Sequence, residues 1–401
     1  MIAEILAIGD EITSGQLLDT NSQWLSLRLE ELGVRVLYHS TISDELTPSV
    51  EAFRAAIARA DIVIATGGLG PTADDLTREA LARAIGRPLQ LDAEALDTIR
   101  QMFASRNRPM TPQNEIQAMF PAGSRVVRNP HGTAPGIDLE VPRERRSACR
   151  VICLPGVPAE MIEMWRDSVG QTLDNFIADT LGDARRVIRR RLLHCFGAGE
   201  SQIEAMLPDL IRRGRWPTVG ITASGATISL RIVANGATEQ ECFAAIEPVV
   251  TTIRKCLGAL VFGEGDERLQ DVVVRLLRER GKTLATAECG TAGLLAEQLG
   301  GVADFRDVFR GGLTLPQFTA SLDETAVYCR ERFAADYGLV VGPLPPLAER
   351  KSADKPATVG IALASHEGVR VVESPVAFHP ALTPSFVVKQ ALNQLRLAIS
   401  A

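Results

Sequence analysis

The sequence predicts an α/β protein with a doubly wound, mostly parallel sheet at its N-terminus, a small α+β module in the middle and a second α/β domain at its C-terminus. Three observations carry this. Short apolar runs alternate with amphipathic stretches through the first 170 residues, and strand, helix, strand in that order needs parallel crossovers with both sheet faces covered. The texture then changes to paired β-type runs joined at a tight turn. From residue 264 helix and strand alternate again. A chain of 401 residues suggests about two to three domains, and the boundaries fall at 1–172, 182–262 and 264–401.

In chain order, residues 5–8 read as an apolar strand, and residues 21–32 carry Leu25, Leu29 and Leu32 at helical spacing before Gly33. Residues 35–38 read as strand, 49–60 as helix and 62–65 as strand, followed by a glycine-rich turn and a helix from Asp75. Residues 150–153 give a further strand. In the middle module Arg185, Arg186, Arg189, Arg190 and Arg191 precede a strand at 192–196, and a helix starts after Gly199-Glu200-Ser201. Residues 218–223 and 226–233 form a hairpin through Ser224-Gly225, covered by a helix at 239–256. Helix 268–280 and strand 283–287 then lead into a second glycine-containing turn, and the prolines of 342–356 mark a linker.

Composition narrows the function classes. With 46% hydrophobic and 23% charged residues the chain is neither disordered nor fibrous. The net charge of −6 argues against wholesale wrapping by nucleic acid. No basic leader precedes Gly9 and no apolar run approaches the roughly 18 residues of a membrane span, so a cytosolic location with no membrane partner is expected. The seven cysteines are scattered; the nearest pair, Cys149 and Cys153, reads as buried thiols rather than a zinc site.

The chemistry concentrates in the turn Thr66-Gly67-Gly68-Leu69-Gly70-Pro71-Thr72-Ala73-Asp74-Asp75-Leu76-Thr77. Three glycines let the backbone approach a ligand, and amides at a following helix N-terminus favour phosphate oxygens. Asp74 and Asp75 would repel such a phosphate unless a divalent cation bridged carboxylate and phosphate. The structural alternative is that Thr72 or Asp74 caps the helix and the glycines only make a tight turn. Gly9-Asp10-Glu11, Asp19-Thr20-Asn21 and Leu154-Pro155-Gly156-Val157-Pro158-Ala159-Glu160-Met161 would all lie at the same edge of a parallel sheet, beyond the carboxyl ends of its strands, where such sheets place ligands.

Together with Ser14-Gly15-Gln16 and Asn129-Pro130-His131-Gly132-Thr133-Ala134-Pro135-Gly136, these segments resemble the molybdopterin-binding-like domain of the CinA family over residues 3 to about 170. The resemblance implies a phosphate- and nucleotide-binding domain with ADP-ribose pyrophosphatase activity in the presence of a divalent metal. On that reading the substrate is a nucleotide diphosphate sugar, ADP-ribose giving AMP and ribose 5-phosphate, or a pterin or nucleotide is held without hydrolysis. Asp75 with Asp74 would bind metal or position the attacking water, with Glu11 and Asp19 as further candidate metal carboxylates. Gly9, Asp10, Asn21, Gly67, Gly68, Gly70, Pro71, Thr72, Thr77, Pro155, Gly156 and Pro158 would contact substrate. A homodimer is expected.

The middle module resembles the KH-like domain of the same family at Phe196-Gly197-Ala198-Gly199-Glu200-Ser201. It has no G-x-x-G loop between helices, so its arginines read as a solvated face and RNA is not an expected partner. The C-terminal stretch Thr286-Ala287-Glu288-Cys289-Gly290-Thr291-Ala292-Gly293 resembles the start of the family's nicotinamide mononucleotide deamidase domain, A-E-S-C-T-G-G, whose serine is the nucleophile. Cys289 stands at the serine, while Thr291 and Gly293 are kept. Phe309-Arg310-Gly311-Gly312 keeps F-x-G-G, but Pro316 and Ser321 replace the tyrosine and lysine that follow, and Val341-Gly342-Pro343 is an eroded remnant of T-G-x-A-G-P. A thiol at a helix N-terminus can be activated, yet the groups that would deprotonate it and orient an amide are missing. The expectation is a vestigial domain, with a rewired cysteine amidase as its alternative.

Overall fold

The computed structural model describes residues 1–144, 146–212, 214–345, 357–376 and 379–400. They fall into two compact units, Met1–Arg189 with Asn235–Cys242, and Arg190–Ala234 with Phe243–Ala401.

In the first unit the strands are β1 (Ile2–Ile8), β2 (Arg35–Ile42), β3 (Ile62–Thr66), β4 (Leu89–Leu91), β5 (Met119–Pro121), β6 (Arg125–Val127), β7 (Gly136–Val141) and β8 (Cys149–Leu154). Six of them form one sheet in the order β2-β1-β3-β8-β7-β6. It is parallel from β2 to β8 and antiparallel at β7 and β6, so the expected parallel sheet carries an antiparallel edge. Its helices are α1 (Asp10–Thr13), α2 (Thr20–Glu31), α3 (Leu46–Arg59), α4 (Thr77–Ile85), α5 (Ala93–Ser105), α6 (Pro158–Met164) and α7 (Gly170–Leu181).

Period-two alternation splits the strand residues between two cores. Leu6, Val63 and Val151 pack with Phe53 and Ala56 of α3 and Leu81 of α4. Their neighbours Ile5, Ile64 and Ile152 pack with Leu25 and Leu29 of α2 and with Met161 and Leu173 of α6 and α7. Helix α3 starts earlier than the expected residue 49 because Pro48 lies in its first turn, where a missing N–H forfeits no helical bond. Cys149 and Cys153 are buried in β8, and burial pushes both thiols up to about 12, consistent with packing rather than metal binding.

The middle-module sheet runs β10-β11-β9-β12, built from β9 (Val187–Cys195), β10 (Thr218–Ser224), β11 (Thr227–Gly236) and β12 (Val261–Glu264), with helices α8 (Glu200–Met206) and α9 (Glu239–Leu257). Positive φ at both Gly225 and Ala226 makes the tight turn that a two-residue hairpin requires. The arginine run corrects an expectation: Arg189, Arg190 and Arg191 lie inside β9 rather than before it. Arg189 pairs with Glu239, and Arg191 pairs with Glu264 and, at 3.5 Å, with Glu247. The charges of Arg189 and Arg191 are answered by these carboxylates.

The C-terminal sheet runs β14-β13-β15-β16-β17, from β13 (Leu284–Cys289), β14 (Phe309–Leu315), β15 (Tyr337–Val341), β16 (Thr358–Ser365) and β17 (Gly368–Pro375). Helices α10 (Leu269–Glu279), α11 (Leu294–Gly300), α12 (Leu322–Arg332) and α13 (Thr383–Ser400) complete it. Leu284, Leu339 and Ile361 pack with α10 and α13 on one face. Ala285, Val340 and Ala362 pack with α12 on the other. Of the expected linker, residues 346–356 lie outside the described residues. Among the described residues no helix is long and apolar enough to cross a membrane.

Candidate active site

The carboxyl ends of β1, β3 and β8 open into a cleft of about 600 Å³. Of the sequence-predicted residues, Gly9, Glu11, Asp19, Asn21, Gly67, Gly68, Gly70, Pro71, Asp74, Asp75, Pro155, Gly156 and Pro158 line it. Asp10, Thr72 and Thr77 do not, and each has a structural partner instead.

Gly67 sits where the three strand ends meet. Its φ is +105°, its amide donates to Leu154 O at 3.1 Å, and a Cβ there would stand 2.0 Å from Ile8 O. Only glycine fits both the left-handed backbone and the contact. Gly68 follows with φ +63°. Among the described residues the amides of Gly68 and Leu69 donate to no protein group, so two donors remain for a ligand. Thr77 serves the loop by donating to Gly67 O at 2.8 Å.

Asp75 organises this loop. One carboxylate oxygen accepts from Gly70 N at 2.7 Å and the other from Thr72 N at 2.8 Å and from the Thr72 hydroxyl. That explains why Thr72 faces Asp75 rather than the cleft. Helix α4 has Leu76 at its N-cap with no side-chain cap, so neither Thr72 nor Asp74 caps it. Asp74 is held below its ordinary range chiefly by the Thr72 side chain.

Beneath the loop lies Arg78, which the sequence reading missed. It is 2% exposed and donates to Leu69 O at 2.7 Å and to Gly70 O at 3.4 Å. Burial pushes it down to about 10, opposed by the charge of Asp75. A signal existed in its place three residues after Asp75, on a helix whose neighbouring positions are apolar.

Asp19 is the N-cap of α2, accepting from Ser22 N at 2.9 Å. Asn21 bridges two loops, its amide donating to Thr66 Oγ1 at 3.0 Å and to Gly156 O at 2.8 Å. Its own Oδ1 is buried without a partner, in a residue 8% exposed at the cleft wall. An orphaned acceptor there favours a ligand that brings an O–H or N–H. Asn129 fixes the opposite wall, donating to Ala134 O at 3.0 Å and to Glu160 Oε2 at 2.7 Å.

The rim is acidic. Asp10 and Asp44 exchange backbone-to-carboxylate bonds of 2.9 and 3.1 Å. Asp44, the second residue missed, is raised above its ordinary range by burial and by the charges of Asp10, Glu11 and Asp74. It follows the end of β2, the one strand end at this edge whose loop the sequence reading passed over. Among the described residues no three His, Cys, Asp or Glu side chains converge as a metal cage. The donors do suit a hard cation brought in with phosphate, because such an ion takes one or two carboxylates and completes its shell with water and phosphate oxygens.

The second motif cluster is in the C-terminal domain. Glu288 is buried and accepts from the Thr291 hydroxyl at 2.5 Å and from Leu295 N and Ala296 N at 3.1 Å each. The amide end of α11 is therefore occupied. This corrects the expectation that this helix end lowers the Cys289 pKa: burial raises the thiol, which donates to Pro316 O at 3.3 Å. Gly293, φ +88°, is the N-cap of α11. Ser321 is spent on the capping box of α12 with Glu324. Gly342 survives in the eroded loop for a packing reason, since a Cβ there would stand 2.1 Å from Cys289 O.

Sequence models of three domain families match the chain: a probable molybdopterin binding domain over residues 4–175, the damage-inducible protein CinA KH domain over 190–263 and the CinA C-terminal domain over 266–317. The last match ends one residue after Pro316 and short of Ser321 and of the eroded Val341-Gly342-Pro343 loop. A CinA-like protein of Dictyoglomus thermophilum is 41% identical over 313 residues, 78% of this chain and 73% of that one. Another from Dictyoglomus turgidum is 39% identical over 340 residues, covering 85% and 79%. Among solved structures, the protein CinA from Thermoplasma acidophilum is 34% identical with a TM-score of 0.39 and covers 43% of this chain and 98% of its own.

Proposed function

The chain belongs to the CinA family, and from that premise and the cleft we propose that its N-terminal domain hydrolyses the diphosphate of a nucleotide diphosphate sugar, ADP-ribose to AMP and ribose 5-phosphate. The observation that carries the reading is convergence: the unpartnered amides of Gly68 and Leu69, the orphaned acceptor of Asn21 and the carboxylates of the rim meet in one cleft. The loop amides bind phosphate oxygens, and Asn21 Oδ1 takes a ligand hydroxyl. Water adds to one phosphorus, and the bridging oxygen leaves with the other phosphate. Asp44 accepts the proton that the water gives up, its raised pKa bringing it nearer to neutral pH than an ordinary carboxylate. Glu11 and Asp74 would hold a divalent cation, which when bound neutralises charge on the phosphates.

Asp44→Asn is then expected to lower turnover by about 10²- to 10⁴-fold, the usual contribution of a general base, with affinity for AMP retained. The wild-type rate should fall as pH drops through the raised Asp44 pKa, and that acid limb should be missing in the variant. AMP release measured with and without magnesium decides the activity itself. A second reading, a nucleotide- or pterin-binding protein without turnover, draws on there being no three-donor cage among the described residues; it predicts saturable binding and no AMP in either condition.

In the C-terminal domain we read a scaffold without deamidase activity. Its thiol is raised rather than lowered, and among the described residues it contacts no proton acceptor beyond a carbonyl. Ammonia release from nicotinamide mononucleotide should not exceed that of Cys289→Ala, and Cys289→Ser should restore none. Deamidation abolished by Cys289→Ala would overturn this.

A further inference from the structure

A second, separate pocket of about 350 Å³ lies within the second unit, where β9, β11 and β12 meet the start of α10 and the side of α13. Its polar wall is unusually under-partnered. Lys389 of α13 donates to Gly225 O at 2.5 Å and to Thr227 Oγ1 at 2.8 Å. Both are neutral acceptors, and an ammonium has three N–H groups, so one donor and the whole charge are unanswered among the described residues. Gln270 is 6% exposed and lines the pocket. Its carboxamide has no hydrogen-bond partner among the described residues. Gln298 adds a buried Oε1 that likewise has none.

The backbone contributes too. Asp271 caps α10 by accepting from Arg268 N at 2.8 Å, while among the described residues the amides of Leu269 and Gln270 in the first turn have no protein acceptor. The nearby carboxylates are mostly neutralised: Glu267 pairs with Arg275 at 3.0 Å and Asp271 with Arg268 at 3.0 Å. Asp266 stays exposed beside the opening. His194 is a wall and not a ligand group. Its Nε2 lies 2.7 Å from Gly265 O, so Nε2 carries the proton, and Nδ1 accepts from the Ser229 hydroxyl at 2.9 Å.

We propose that this pocket binds a small organic oxyanion, a carboxylate or phosphate on a compact polar ligand, held by Lys389 and the amide end of α10 and read by Gln270 and Gln298. A helix N-terminus attracts anions generally, but here a half-buried ammonium with only neutral acceptors, the buried Gln270 and the buried Oε1 of Gln298 border the same volume, the last two without a side-chain partner among the described residues. A pocket of this size suits a compact ligand of only a few polar groups. The site is independent of the N-terminal cleft, whose lining contains no lysine.

That difference supplies the test. The chain has five lysines, Lys255, Lys282, Lys351, Lys355 and Lys389, so the full-length protein labelled with ¹³C at lysine Cε gives a countable set of resonances. The Lys389 signal, identified by its loss in Lys389→Arg, is followed while orthophosphate or malonate replaces chloride at constant ionic strength. It should saturate with one or both anions while the other four drift only weakly, and whichever anion saturates identifies the phosphate or carboxylate class. Gln270→Glu places a like charge in the pocket and should weaken binding by about tenfold or more. Gln270→Leu, the second variant should the first not fold, should weaken it in the same direction. A Lys389 signal that is unmoved, that moves linearly in step with the other lysines, or that saturates equally in both Gln270 variants overturns the site.

Discussion

Asp75→Asn is expected to cost about 3 kcal/mol of stability and to abolish ligand binding in the N-terminal cleft. The carboxylate accepts from Gly70 N, Thr72 N and the Thr72 hydroxyl, and an amide NH₂ at either position would face a donor. Arg78 beneath the loop, donating to two neutral carbonyls, would also lose the charge that opposes its desolvation. Leaving a donor without its acceptor costs about 1–3 kcal/mol, and we take the upper end because three donors and the charge that opposes Arg78 desolvation depend on this one carboxylate. Urea unfolding and calorimetric titration with AMP read the two effects separately. A variant of wild-type stability that still binds AMP but does not turn over would make Asp75 a catalytic or metal-binding group instead of the organiser of the loop.

Gly67→Ala should be more severe, at more than about 4 kcal/mol, with loss of soluble expression as the practical outcome. The added Cβ would meet the carbonyl of Ile8 at 2.0 Å, in a backbone conformation that L-residues rarely adopt. The carbonyl cannot retreat cheaply, because Ile8 ends a strand paired on both sides. Gly156→Ala is the control: its Cβ would be 3.4 Å from Gly67 Cα, an ordinary contact, and its cost should stay within about 1 kcal/mol. Equal stability of the two variants would remove the special role given to Gly67.

The sequence made the sheet legible because parallel strands buried on both faces read as short unbroken apolar runs, as residues 62–65 do. It made the glycine loop of residues 67–70 legible because glycine is the one residue type whose presence states a backbone conformation. It could not show which of two adjacent aspartates turns inward. Asp74 and Asp75 look alike in one dimension, and only the fold of Gly70-Pro71-Thr72 back over the second gives that one its three donors. Asp44 was invisible for a different reason: no glycine or motif marks its loop, and its membership of the cleft follows from where β2 ends. Likewise the antiparallel β6 and β7 are too short, or too mixed in pattern, to stand out from loop.

The cleft is assembled from parts far apart in sequence: Asn21 bonds a carbonyl 135 residues away, and Thr66 one 89 residues away. Contacts of such separation close large loops and come late in folding. The nascent chain can therefore lay down β1, α2, β2 and α3 with no binding competence at all, which arrives only when β8 docks beside β3. In a refolding experiment, affinity for AMP should emerge no sooner than hydrogen-exchange protection of the β8 amides. A population that binds before β8 is protected would mean that the glycine loop alone makes the site.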